Sequence, residues 1–472
     1  MKRWIIVGLA LILLGGAFWF TWLRPTPPKR FILIVCDSMR ADHLGCYGGP
    51  QNLSPNIDAF AQKALLFKNA NSVAPWTFAS NASLLTGLYP HEACDFDAAV
   101  LVDQVPTLAE YFKQAGFKTA AFSSHPIISK QWNFDQGFDT FVNDYGTKER
   151  KIDVQVLNRS LLWLADNWQD KFFLLVYFYA PHEPYQPDNI PEELRNTLNT
   201  LRPAIGRGEV PLSARLRKPV IVDEISDKDD DLHCTLQEID ALHELYSGYI
   251  NDADRRVGEL LKAIGNDPET VVAVMSDHGE EWLDHGGLRH KETLYQELLH
   301  VPFILRVPGK SASTITSPVS NLDLFPTFLK LAKIRPQIPL KGEFLLDPPK
   351  ESPRMFFGGA YHSLGFDKSR GVKPFWVERY ITKLQNRVLI HTLSGWPDDP
   401  PIPAGGLWEH YDLEADPKEQ NMLPNDATAS KLRLQLLQFE KEARVKIKQS
   451  DASEADIKKR LEDLKNLGYI GK

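Results

Sequence analysis

The 472-residue sequence predicts an α/β protein: a large mixed, mostly parallel sheet sandwiched by helices, a smaller C-terminal α+β unit, and an apolar helix at the N-terminus. Three observations carry this expectation. Short, near-continuous apolar runs alternate with helical patterns, as strands buried on both faces do when crossover helices cover a parallel sheet. After about Pro336 the strand-like stretches become short and turn-separated. The first apolar stretch is too long for a core strand and has the length of a membrane span.

That stretch comes first in the chain. Met1-Lys2-Arg3 is a short basic start, and the twenty residues Trp4–Leu23 (WIIVGLALILLGGAFWFTWL) carry no charge. At about 1.5 Å per residue, a helix of this length crosses a hydrocarbon core of about 30 Å. A cleaved signal peptide would have a shorter apolar region ending in small residues. This one ends in Phe18-Trp19-Phe20-Thr21-Trp22, which suits an interfacial aromatic belt. The expectation is an uncleaved, single-pass anchor, with Pro25-Thr26-Pro27-Pro28 as a stiff spacer. Basic residues flank both ends, so the positive-inside rule alone sets no orientation.

The expected buried strands are Phe31–Cys36 (FILIVC), Lys118–Phe122, Phe172–Tyr179, Val271–Met275 and Val301–Val307, all read as parallel. Ser54-Pro55 reads as an N-cap with proline at the first helical position, opening a helix through about Leu65. Thr107 caps a helix that ends at Gly116. Ile152–Trp168 and Leu236–Ile264 are longer amphipathic stretches. Farther on, Phe375–Leu384 and Arg387–Leu393 read as strands, and Ala429–Leu467 as a charged helical tail. The domains expected are residues 1–30 (anchor and linker), 31–335 (main α/β domain), 336–428 (smaller α+β unit) and 429–472 (tail).

Composition excludes some partners. A formal charge of -7 leaves no basic footprint for nucleic acid. The acidic run Val222–Asp231 reads as a solvated loop within an excursion from Pro187 to Cys234. Cys36, Cys46, Cys94 and Cys234 form no CxxC pair, so neither a metal cluster nor a disulfide framework is read from them. A Cys46–Cys94 bridge in an oxidising compartment is the alternative.

In parallel sheets, functional groups gather beyond the carboxyl ends of strands. Asp37 ends one apolar run, and Asp277-His278 end another. Either aspartate alone is as readily a turn cap. The two together, with an imidazole, make a plausible ligand set for one divalent ion, and Ca, Mg, Mn and Zn all fit it. Ala79–Leu85 reads as a helix stopped by Gly87, which puts Thr77 at or just before its N-terminus. Free N–H groups there favour an oxyanion, and a hydroxyl also touching a divalent ion is an activated nucleophile. Simple N-capping by Thr77 is the alternative.

The order of segments resembles the sulfatase family of the alkaline-phosphatase superfamily. Phe31–Gly48 (FILIVCDSMRADHLGCYG), Ser54–Phe67, Ala82–Pro90 (ASLLTGLYP), Ser276–Glu280 (SDHGE), His300–Gly309 (HVPFILRVPG), Asn321–Leu331 and Tyr411–Leu423 carry the likeness. The resemblance implies an alkaline-phosphatase-like fold, with Asp37, Asp277 and His278 as metal ligands and Thr77 as nucleophile and ligand. It further implies a substrate contact for His182, an active-site role for His125, and an ester-binding cation at His290 or Lys291. The pattern also departs from the family. Sulfatases place Cys or Ser at the nucleophile and oxidise it to formylglycine, which Thr77 cannot become. Asn81 replaces an arginine and Ser38 a further metal aspartate. A threonine nucleophile resembles instead the superfamily's phosphoryl-transfer branch of bacterial envelopes. The expectation is an anchored enzyme facing outside the cytoplasm and cleaving or transferring phosphate or sulfate groups of small-molecule, lipid or glycan esters. The alternatives are an arylsulfatase-like hydrolase with an atypical nucleophile and a catalytically weak envelope binding protein.

Overall fold

The computed structural model of the chain describes residues 27–96, 98–143, 152–183, 185–200, 220–221, 233–291, 293–347, 353–364, 375–394 and 402–444, with 458, 459 and 462. The expected anchor Trp4–Leu23 and the acidic run Val222–Asp231 lie outside these residues. No helix among the described residues is long and apolar enough to cross a membrane.

In chain order the main domain contains strand β1 (Arg30–Cys36), helix α1 (Pro55–Ala61), β2 (Leu65–Phe67), α2 (Thr77–Thr86) and α3 (Leu108–Gln114). Then follow β3 (Lys118–Ser123), β4 (Thr140–Asn143), α4 (Ile152–Asn167), β5 (Phe172–Phe178), α5 (Leu236–Ile264), β6 (Thr270–Ser276), β7 (Phe303–Arg306), β8 (Ser313–Ile315) and α6 (Leu324–Leu331). The eight strands form one sheet in the order β8-β2-β7-β6-β1-β5-β3-β4. The run β6-β1-β5-β3-β4 is parallel, and β7 runs against both its neighbours.

The sheet explains the apolar runs. Successive side chains of a strand point to opposite faces. In β1, Phe31, Leu33 and Val35 enter a layer with Phe112, Phe173 and Phe328, while Ile32, Ile34 and Cys36 enter another with Ile57, Leu242 and Ile250. Helices cover both faces, so every position from Phe31 to Cys36 is apolar, and the buried Arg30 that opens the strand is paired with Asp267.

Local signals place the helices well. Thr107 Oγ1 accepts the Glu110 N–H at 3.2 Å, and Glu110 Oε2 accepts the Thr107 N–H at 2.7 Å, a capping box at the start of α3. Helix α5 has the boundaries its amphipathic pattern predicts, opened by the Thr235/Glu238 capping box.

Other expectations need correction. The run Val301–Val307 supplies β7, which is antiparallel to β6 rather than parallel. An apolar run is blind to direction, because its side chains alternate across the sheet either way. Helix α1 stops at Ala61, since Leu65–Phe67 is drawn into the sheet as β2. Ser54 gives no side-chain cap. Its hydroxyl accepts the Gly45 N–H at 2.9 Å and donates to Asp58 at 3.1 Å. Cys46 and Cys94 are both free, so the alternative bridge is not formed.

The C-terminal unit is an antiparallel meander, β9 (Met355–Leu364), β10 (Phe375–Leu384), β11 (Arg387–Ser394) and β12 (Leu407–Asp412). Helix α7 (Ala427–Ala443) buries Leu432, Leu436 and Phe439. The expected tail is thus a packed helix as far as Ala443, and most of the remainder to Leu467 lies outside the described residues.

Candidate active site

Four neighbouring parallel strands end at one edge of the sheet. Cys36 of β1 pairs in register with Ser276 of β6 on one side and Phe178 of β5 on the other, and Ser123 of β3 pairs with Tyr177 of β5. The residues just beyond these ends are therefore brought together: Asp37 after β1, Asp277-His278 after β6, His182 after β5 and His125 after β3. All five are buried.

Thr77 joins them from α2. It is the first helical residue, and Trp76 is the cap residue, so Thr77 is not the N-cap. Its Oγ1 lies 3.2 Å from His278 Nε2. The helix is pinned in this place by its own side chains. Ser80 Oγ donates to the Asp277 carbonyl at 2.7 Å, and Asn81 Nδ2 donates to Asp277 Oδ2 at 2.8 Å.

The carboxylates are heavily engaged on one side. Asp277 Oδ2 also accepts from the Tyr177 hydroxyl at 2.8 Å, and its Oδ1 accepts the His278 N–H at 2.9 Å and the Ser38 N–H at 3.3 Å. Asp37 Oδ1 accepts from Ser38 Oγ at 2.9 Å. Asp37 Oδ2 is buried and accepts no well-aligned hydrogen bond; His125 Nε2 lies 3.1 Å away but out of line for one. Burial and the neighbouring Asp277 push the Asp37 carboxyl well above its usual range. Among the described residues neither aspartate is paired with Lys or Arg. Two adjacent buried acids with an oxygen left over are costly in isolation, and a divalent cation removes the cost.

Two ligand sets share Asp37: Asp37/Asp277/His278 and Asp37/His125/His182, each with ligand atoms within 4.8 Å of one another. Ring chemistry separates them. His278 Nδ1 lies 2.8 Å from the Gly279 carbonyl, an acceptor, so Nδ1 carries the proton and Nε2 presents a lone pair. His125 Nδ1 accepts the Ile127 N–H at 3.0 Å, so its Nε2 carries the proton in the neutral ring. The first set fits a cation; in the second, His125 is a donor.

His182 and His290 complete a wall of imidazoles. His290 lies 4.5 Å from the His278 ring and 4.9 Å from the His182 ring, centre to centre, and His182 lies 5.4 Å from His125. Burial first, and then the neighbouring His278, hold His182 and His290 well below the ordinary histidine pKa. Burial followed by His182 does the same for His125. Lys291 is buried beside His290, with φ of 89°. Of the two candidates for the ester-binding cation, His290 has its ring against the histidine wall.

Sequence reasoning missed Tyr177 and the hydrogen-bonding role of Asn81. Tyr177 was legible as the one hydroxyl in the strand FFLLVYF, since a buried phenol needs a partner.

A family model of sulfatases matches residues 29–334. The chain is 25% identical over 513 aligned residues to an N-acetylglucosamine-6-O-sulfatase of Bacteroides thetaiotaomicron, covering 91% of this chain and 89% of that protein. A putative sulfatase structure from Bacteroides thetaiotaomicron superposes with a TM-score of 0.67 at 21% identity, over 92% of this chain and 96% of that one. The phosphonate monoester hydrolase of Agrobacterium radiobacter gives 0.64 at 20% identity, over 89% and 95%. At these identities the superpositions speak for the fold alone.

Proposed function

Because the chain belongs to the sulfatase family, whose members are ester hydrolases, we propose that it cleaves or transfers phosphate or sulfate ester groups with Thr77 as nucleophile. One divalent cation would be held by Asp37, Asp277 and His278, with Thr77 as a further ligand. The observation that carries this reading is Thr77 Oγ1 at 3.2 Å from His278 Nε2, on the first turn of α2. When bound, the cation supplies Lewis-acid charge to the hydroxyl and to the ester oxygens. The chain's own groups do the rest. Asn81 and Tyr177 orient Asp277, the N–H groups that open α2 favour negative charge, and His125 Nε2–H and His182 serve the ester group. Thr77 oxygen, its proton given up to solvent, bonds to sulfur or phosphorus as the bond to the leaving oxygen breaks, and that oxygen takes a proton from solvent. Water or an acceptor alcohol then takes the group.

No formylglycine is involved. Threonine has no carbonyl to collapse back to, so its ester is released only by a second attack, the two-step pattern of covalent catalysis. This favours the phosphoryl-transfer reading. The names of the relatives favour sulfate, and that of the first curated relative a glycan ester. A paired assay of aryl sulfate and phosphodiester substrates separates the two. Thr77→Ala should lower turnover of the accepted ester by about 1,000-fold or more with the fold intact, and unchanged turnover removes Thr77 from the mechanism. The Trp4–Leu23 segment supports a membrane anchor, and we place the enzyme outside the cytoplasm on its likeness to the envelope branch of the superfamily. Membrane fractionation tests it, and a soluble mature protein beginning after this segment overturns it.

A further inference from the structure

Glu280 lies two residues beyond the expected metal ligand His278, and its side chain is fully buried. Its place is fixed by the backbone before it. A Cβ on Gly279 would sit 1.9 Å from the Glu297 carbonyl oxygen, so the chain passes flush against that residue and Glu280 cannot shift outward. Its two oxygens face two side chains. Oε1 lies 2.9 Å from His290 Nδ1, and Oε2 accepts the Tyr185 hydroxyl at 3.1 Å. Arg40 reaches only its carbonyl oxygen, at 3.0 Å. Among the described residues no Lys or Arg pairs with the carboxylate. A buried acid kept without such a counter-ion is costly, and here it grips an imidazole one ring removed from the His278–Thr77 contact. A buried acid on the far nitrogen of a histidine fixes the ring's orientation and tautomer.

We propose that Glu280 is a positioning residue: its neutral carboxyl donates from Oε1 to His290 Nδ1, which leaves the ring's one proton on Nε2, directed at the leaving oxygen of the ester that Thr77 attacks, to which Nε2 donates a hydrogen bond. This rests on the Thr77 reading above. The geometry accounts for a costly buried carboxyl that no metal contact explains, and it assigns His290 to the leaving group, apart from the nucleophile. A purely structural Glu280 would instead affect all substrates alike.

The test compares 4-nitrophenyl and phenyl esters of whichever group, sulfate or phosphodiester, the full-length metal-loaded enzyme accepts. The nitrophenolate leaves without help, whereas the phenolate needs a donor. Glu280→Ala should lower kcat/KM for the phenyl ester about 100-fold, and for the 4-nitrophenyl ester less than about 5-fold. Glu280→Gln, whose amide can donate to or accept from Nδ1, should restore about 10-fold of the loss. His290→Asn should show the same bias, and adding Glu280→Ala to it should cost less than about 2-fold more. Equal losses on the two esters, or losses that multiply in the double variant, overturn the proposal. If Glu280→Ala does not fold, Glu280→Asp, one methylene short of Nδ1, must show the bias, and equal losses there overturn it. Turnover surviving Thr77→Ala overturns the nucleophile reading. An inactive Thr77→Ala with no leaving-group bias removes only the Glu280 assignment.

Discussion

Asn81 sits one turn along α2 from Thr77, where resemblance to the family leads one to expect an arginine. A neutral amide cannot supply charge there, but it does supply geometry. Its Nδ2 donates to Asp277 Oδ2 and to the Thr77 carbonyl, each at 2.8 Å, so one side chain ties the turn that carries Thr77 to the Asp277 carboxylate. Outer partners of this kind orient ligands and typically contribute about 10- to 100-fold in metal affinity. Asn81→Ala should therefore weaken the divalent ion's affinity by about 10-fold or more, read by titrating metal against turnover and by metal content after dialysis. An unaltered affinity would mean that Tyr177 alone orients Asp277. The sequence displayed Asn81 only as a departure. Its hydrogen bond to a residue 196 positions away could not be seen there.

The segment between β6 and β7 carries Glu280, His290 and Lys291, and His285 holds it to the C-terminal unit. His285 Nδ1 lies 2.7 Å from Glu297 Oε1, its Nε2 lies 3.1 Å from the Glu419 carbonyl, and its ring stacks on Tyr295 at 3.5 Å. Burial opposes the imidazolium, but the hydrogen bond and charge of Glu297 outweigh it and raise the pKa from 6.5 to about 9. A pKa raised on folding means stabilisation that is complete below about 6.5 and is lost as pH climbs through about 9. His285→Gln should accordingly lower Tm by roughly 2–4 °C at pH 6 and have little effect at pH 10. A gap between the two proteins that does not narrow between those pH values would show that His285 is not held as a cation. The helical pattern of α5 and the capping box of α3 were legible because both are local. The reversal of β7 was not, because strand direction leaves no mark on an apolar run.

Across the whole molecule, Phe439 of α7 is where the C-terminal unit meets the main domain. Its ring packs against Phe357 at 4.9 Å on one side and against Tyr89 at 4.8 Å and His91 at 5.3 Å on the other. Truncating such a ring costs about 3–5 kcal/mol. Phe439→Ala should thus lower the denaturation midpoint while kcat/KM of the surviving fold stays within about 2-fold. A normal midpoint would place the docking energy elsewhere, in the His285–Glu419 contact.

The sequence by itself determined the alternation of strands and helices, the strand ends at Asp37 and Asp277, and the stop at Gly87 of the helix bearing Thr77. Each of these is written in neighbouring residues, through side-chain periodicity and the chemistry of a helix terminus. Only the tertiary structure decided that four strands end in register at one edge, that His290 joins the imidazole wall, and that Asn81 and Tyr177 grip Asp277. Those facts depend on strand order and sheet register, set by packing between segments far apart in the chain, and no local pattern encodes them.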